Sequence, residues 1–234
     1  FEHHIWELTN QKRSAYNLPP LLYDEGLADL ARLHSSNMFN FDFFAHKDHL
    51  GYLVDDRKKK YYPQLVVSSI GENLAKFVNS AKVFTPEEVV SSWMNSPEHK
   101  ENILNPTYTH LGVGVFTKDE VLLVTQNFAT PVVKLLSEIP DQLEPQYQYQ
   151  LLFEYMSTKP AKELKAVLNF PDMRFKYNID DRSYTVGMKP VPLQWIGEKQ
   201  LEVIIDFPAG RGNYVLCFGF NNFYWEEGIK LKVK

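Results

Sequence analysis

TPEEVVSSWMNSPEHKENILNP, from Thr85 to Pro106, contains two helix starts in close succession. Thr85 suits an N-cap, Pro86 the first helical position, and Glu88 the third, where its carboxylate can reach back to the Thr85 amide: a capping box. Val89 and Trp93 then fall on one face, four residues apart. Ser96 and Pro97 repeat the signal, Ser96 as a cap and Pro97 as the opening residue, and Glu98 suits the positive end of the helix dipole. His99 lies in the first turn of this second helix and shares a face with Ile103, before Asn105-Pro106 stops it. Ile103 is expected in the core, which draws His99 toward the protein. Taken alone, His99 reads either as a packing histidine that needs a partner or as one member of a site assembled from distant segments.

N-terminal to this stretch, IWELTNQKR reads as a helix broken by Asn17 and Pro19-Pro20. A second helix begins after Asp24, with Leu27, Leu30, Ala31, His34 and Met38 on one face. In FDFFAHKDHLG, His46 follows an aromatic cluster and precedes Asp48 and His49; His46 is expected to face inward and His49 solvent. A self-contained zinc site there is disfavoured, since structural zinc takes four ligands. DDRKKKYYP is a charge run expected to be a solvated loop. SSIGENLAKF sets Glu72 among apolar residues. It must then meet a cation, a donor or a proton, or else accept backbone amides in a tight turn; both readings stay open. Glu88 has its role in the capping box and needs no catalytic one.

C-terminal to Pro106 the period changes to that of strands. LGVGVF and VLLVTQNF form a plausible hairpin across Thr117-Lys118-Asp119-Glu120. Residues 134–146, with Pro140, Pro145 and several charges, read as a linker. From Tyr147 onward short strands dominate, among them YQYQLLFEYM, ELKAVLNF, LEVIIDF, NYVLCFGF and IKLKVK. The expected division is an α+β domain over 1–133, the linker, and a small antiparallel β-sandwich over 147–234.

Composition narrows the function classes. The 234 residues are 44% hydrophobic, enough for a substantial core. A net charge of −4 leaves no footprint for nucleic acid. No apolar run of about 18 residues exists, so no transmembrane segment is expected. One cysteine, Cys217, excludes an internal disulfide, and its apolar surroundings predict an inert buried thiol. Glycine-rich phosphate loops, GxSxG elbows, HExxH helices and Cys–His pairs are all missing from the sequence.

Together, Asn10 and Arg13, LPPL at 18–21, the helix through His34 and Met38, FFAH, Arg57, GENLA, the Thr85–Pro106 stretch, YTHLGVGV and TQNF resemble the CAP superfamily of cysteine-rich secretory, antigen 5 and pathogenesis-related 1 proteins. The likeness runs over roughly residues 3–130 and is nearest to the bacterial extracellular branch without disulfides. It implies a three-layer α-β-α sandwich around a central cleft lined by two histidines and two glutamates. By motif, His46, Glu72 and His99 are three of them. Ser96 stands three residues after Trp93, where many eukaryotic relatives carry the second glutamate, and Glu98 is the nearest replacement. The resemblance implies a weakly held divalent cation, zinc or magnesium, on His46 and His99, and no catalytic residue is assigned.

The function expected on this basis is an exported bacterial protein, extracellular or at the cell surface, whose signal or lipid anchor lies outside this sequence. It would bind a small ligand, lipid or divalent cation without transforming it. One alternative is a metal-dependent hydrolase, with zinc on His46 and His99 and Glu72 as base. Another is adhesion or scaffolding, in which the C-terminal domain engages a host or surface protein through aromatics such as Tyr224 and Trp225.

Overall fold

A computed structural model describes residues 1–78, 84–221 and 223–234. The chain divides into two compact units, residues 1–63 with 69–130, and residues 64–68 with 131–234.

The first unit is built from α1 (Glu2–Ala15), β1 (Leu22–Tyr23), α2 (Glu25–Asn40), α3 (Val54–Tyr61), β2 (Leu65–Val78), α4 (Pro86–Met94), α5 (Pro97–Leu104), β3 (His110–Lys118) and β4 (Val121–Leu135). The ends of β2 and β4 belong to the second unit. β1 pairs parallel with β3, β3 antiparallel with β4, and β2 also pairs with β4. Caps form where the sequence places them. The Asp24 side chain accepts from the Leu27 amide at 2.8 Å, and the Thr85 and Glu88 side chains exchange hydrogen bonds with each other's amides. Ser96 stands at the N-cap of α5, but its side chain makes no capping bond.

The TQNF motif shows how three layers arise from strand alternation, since successive side chains point to opposite faces. Thr125 Oγ1 hydrogen-bonds Ser35 of α2 at 2.8 Å, Gln126 Nε2 donates to Thr9 of α1 at 2.9 Å, and Asn127 Nδ2 donates to Leu27 O of α2 at 3.2 Å. The sheet is therefore covered by α2 on one face and α1 on the other. Gly112 and Gly114 of β3 lie opposite Asn127 and Thr125 and so face α2. A Cβ on Gly114 would stand 1.9 Å from the Arg32 backbone nitrogen, so these glycines permit the helix to lie directly on the strand. On the α1 face, Ile5, Val89, Trp93, Ile103, Leu111, Val113 and Phe128 share one core.

The run Asp55–Tyr61 is a helix, not the solvated loop expected. Asp55 and Asp56 sit at its positive end and Lys58 to Lys60 at its negative end. Its inner face buries Arg57 completely and Lys58 almost so.

The second unit adds β5 (Tyr149–Tyr155), β6 (Leu164–Asn169), β7 (Lys176–Asn178), β8 (Tyr184–Val186), β9 (Met188–Val191), β10 (Leu193–Trp195), β11 (Gln200–Ile205), β12 (Gly212–Phe220), β13 (Phe223–Tyr224) and β14 (Ile229–Val233). The end of β4 leads one antiparallel sheet, continuing β5-β11-β10; the other runs β13-β12-β6-β9, with β14 also on β12. Phe153 and Phe218 meet between them at 4.9 Å. The segment expected as a linker starts inside β4, is irregular from Leu136 onward and is anchored there at one buried residue. Lys134 and Leu135 pair with Glu154 and Phe153, and Leu143 is buried and bridges to Val233. An apolar residue between two prolines was enough to anchor it. Cys217 is buried as expected, and desolvation pushes its thiol up to about 11. Among the described residues no helix is long and apolar enough to cross a membrane.

Candidate functional site

Glu72 lies within β2, not in a tight turn, and its side chain is 2% exposed. Of the two readings left open by the sequence, the cation partner is the one observed. Glu72 Oε2 is paired with the Arg57 guanidinium, and Oε1 accepts from His46 Nδ1 at 2.9 Å. Arg57 is held from other directions too: Nη1 donates to His46 O and Tyr52 O, each at 2.8 Å. Buried charge of this kind is sustained only by such pairing; Nε of Arg57 is buried without a hydrogen-bond partner.

The loop carrying His46 is shaped by Asp48, whose Oδ1 accepts from the Leu50 and Tyr52 amides at 2.9 Å each. Gly51, at φ 86°, supplies the left-handed residue that this tight return needs. His46 is not turned inward as expected: its side chain is 53% exposed, with the Nδ1 edge anchored on buried Glu72. The hydrogen bond to Glu72 raises its pKa above the ordinary 6.5. His49 is exposed, as anticipated, and stacks on Phe41 at 3.6 Å.

His99 is half-buried at the start of α5. Burial lowers its pKa first, the nearby His46 lowers it further, and Glu98 opposes both. The charge of Glu98 is also felt by His46, so His46, His99 and Glu98 share one neighbourhood. Glu98 itself is exposed and acts on the rings through charge alone among the described contacts. The start of α5 is tied to β2 by Asn73, whose Nδ2 donates to His99 O at 3.0 Å, and by Asn102, whose Nδ2 donates to Asn73 Oδ1 at 2.9 Å. Asn73 Nδ2 also donates to Gln126 Oε1 at 3.2 Å, which continues to Thr9 of α1. Asn73 of GEN and Gln126 of TQN therefore belong to one buried chain that positions the start of α5, and His99 with it.

Two members of the site were not singled out as such in the sequence. Arg57 was hidden inside a charge run. His34 reads as a core residue by helical period, yet its Nε2 lies 3.0 Å from Ala45 O and 3.9 Å from Glu72 Oε1, and burial lowers its pKa. The donor set does not fit a divalent cation with Glu72 as ligand. Both Glu72 oxygens already serve Arg57 and His46, and among the described residues no group of three or more His, Cys, Asp or Glu side chains is arranged to hold a metal.

The model of the family described as "Cysteine-rich secretory protein family" (CAP) matches residues 6–128. The uncharacterized protein YkwD of Bacillus subtilis is 40% identical over 114 residues, which cover 49% of this chain and 42% of that protein. The uncharacterized membrane protein YlbC of the same organism is 34% identical over 128 residues, 54% of this chain and 34% of that one. The chain thus spans less than half the length of these curated relatives. Among solved structures, an extracellular protein containing a SCP domain from Bacillus anthracis is 34% identical, with TM-score 0.48, over 55% of this chain and 39% of that one. An outer surface protein of Borrelia burgdorferi is 23% identical, with TM-score 0.48, over 54% and 90% respectively.

Proposed function

Because the chain belongs to the cysteine-rich secretory protein (CAP) family, we propose that it is an exported bacterial protein that binds an amphipathic small molecule or lipid beside His46 without transforming it. The observation that carries this reading is the ring of His46. It is anchored on Glu72 yet half open to solvent, and Phe41, Phe44, Leu50 and Leu53 around it in the chain are all exposed. Exposed apolar side chains beside a fixed polar group suit a ligand with an apolar body and a polar end. Export accords with the secretory character in the family's name.

Hydrolysis is less well supported, since a general base needs a free oxygen within reach of its proton and both oxygens of Glu72 are engaged. Adhesion through Tyr224 and Trp225 is likewise weakened. Both are half-buried, and Trp225 packs against the sandwich core; the exposed aromatic of that strand is Phe223, at 63%.

The test is titration of a fluorescent fatty acid into the full chain, followed by anisotropy. Saturable binding is expected, weakened about tenfold by His46→Ala and by Phe44→Ser, a change worth about 1.4 kcal/mol. A linear, unsaturable signal would sink the proposal.

A further inference from the structure

The geometry points to Arg57 as the built-in cation of the Glu72 site, which closes that carboxylate to the divalent ion the family resemblance implies. This rests on the reading above only in taking the surroundings of His46 and Glu72 as the functional site. Arg57 has no exposed surface, and its guanidinium spans three acceptors: the Glu72 carboxylate, His46 O and Tyr52 O. A planar fork with several fixed donors suits that arrangement in a way a spherical ion does not. An entering metal would have to displace the guanidinium from Glu72 and leave a buried positive charge facing two carbonyls, which is strongly unfavourable.

His46 adds a second constraint. Its Nδ1 faces Glu72, so only Nε2 remains to meet an incoming group. With Glu72 occupied, the remaining donors that share the neighbourhood of His46 are His99, half-buried, and Glu98, exposed. Counted with His46 these make three, the number at which open zinc sites are held, but among the described residues no three such side chains are arranged to hold a metal ion. The arrangement assigns Glu72 the task of orienting His46 and Arg57 that of fixing Glu72. Arg57 is therefore a positioning residue: the ligand meets the imidazole of His46 directly, with no metal between them.

The consequence is a testable inversion. If Arg57 is what closes Glu72 to a metal, removing the guanidinium should create a metal site: Glu72 is freed beside His46, with His34 3.9 Å from its carboxylate. The experiment is calorimetric titration of zinc chloride into chelator-stripped full chain near neutral pH, with no organic ligand present, so that its outcome is separate from that of the fatty-acid assay. The wild type is expected to show no saturable one-to-one uptake. Arg57→Met is expected to bind one zinc at least about tenfold more tightly than the wild type. Circular dichroism in the same titration covers a variant that loses its fold: recovery of the helical signal on adding zinc is the same gain. One-to-one uptake by the wild type would overturn the proposal. So would a folded Arg57→Met chain with no gain, or an unfolded one that zinc leaves unfolded.

Discussion

Replacing Arg13 with methionine probes how the C-terminal end of α5, the helix that carries His99, is held in place. Arg13 is completely buried, and its partners among the described residues are backbone carbonyls. Nε donates to Pro19 O at 2.9 Å, and Nη1 to Ile103 O at 2.9 Å and Asn105 O at 2.8 Å. These last two carbonyls belong to the C-terminal end of α5, where a helix leaves its acceptors without internal donors. Burial pulls the pKa of Arg13 below the ordinary guanidinium range. Methionine keeps most of the apolar stem and removes the fork. Three well-formed hydrogen bonds at about 1 to 1.5 kcal/mol each give a loss of about 3 to 4.5 kcal/mol. At about 1.4 kcal/mol per decade, the opening of this region becomes about one hundred- to one thousandfold more frequent. The assay is hydrogen exchange read by mass spectrometry on peptides covering α5 and β3, with peptides from the second unit as internal reference. Arg13→Lys should lose most of the same protection, because one ammonium cannot serve acceptors on both sides of the fork. Protection in the methionine variant within about threefold of the wild type would refute the assigned role.

Gly114→Ala should lower the thermal midpoint sharply, since its Cβ would meet the Arg32 backbone at 1.9 Å; a cost of about 3 kcal/mol is expected, and an unchanged melt would contradict the packing described. His46 should titrate above 6.5 in ring NMR spectra, and Glu72→Gln should bring that value down; an unaltered titration would show that Glu72 is not the cause. The sign for stability follows: the His46–Glu72 contribution is complete below 6.5 and fades as pH rises through the raised value. His34 runs the other way, because burial favours its neutral form. Stability should fall as pH drops below 6.5, and His34→Gln should flatten that acid limb in denaturant melts at successive pH values.

What the sequence disclosed was largely local. Capping residues act on amides three positions away, so Thr85, Glu88 and Asp24 could be read without knowing the fold. Ser96 had the right neighbours and still made no cap, because residue identity does not fix a rotamer. Arg57 shows where local reading ends. In a run of charges it looks solvated, and only its meeting with Glu72 across the fold makes burial tolerable. Glu72 was flagged by its apolar setting, but nothing in SSIGENLAKF names the partner or the strand. His34 had the period of a core residue and is one; its nearness to Glu72 depends on how α2 lies against β2, which no pattern of spacing contains. The proline signals at 140 and 145 were stronger locally than the single leucine between them, and tertiary burial outweighed them.

In β4 the neighbours Thr125, Gln126 and Asn127 serve opposite helices in turn. Such a strand can exchange letters one at a time, but it cannot change its length: a single inserted or deleted codon would send Gln126 toward α2 and strand Thr9 and Asn73 without their common partner. Natural length variation in descendants of this chain is therefore expected to gather at the Thr117–Glu120 turn, where an added residue alters nothing downstream in phase, and to spare the strand itself.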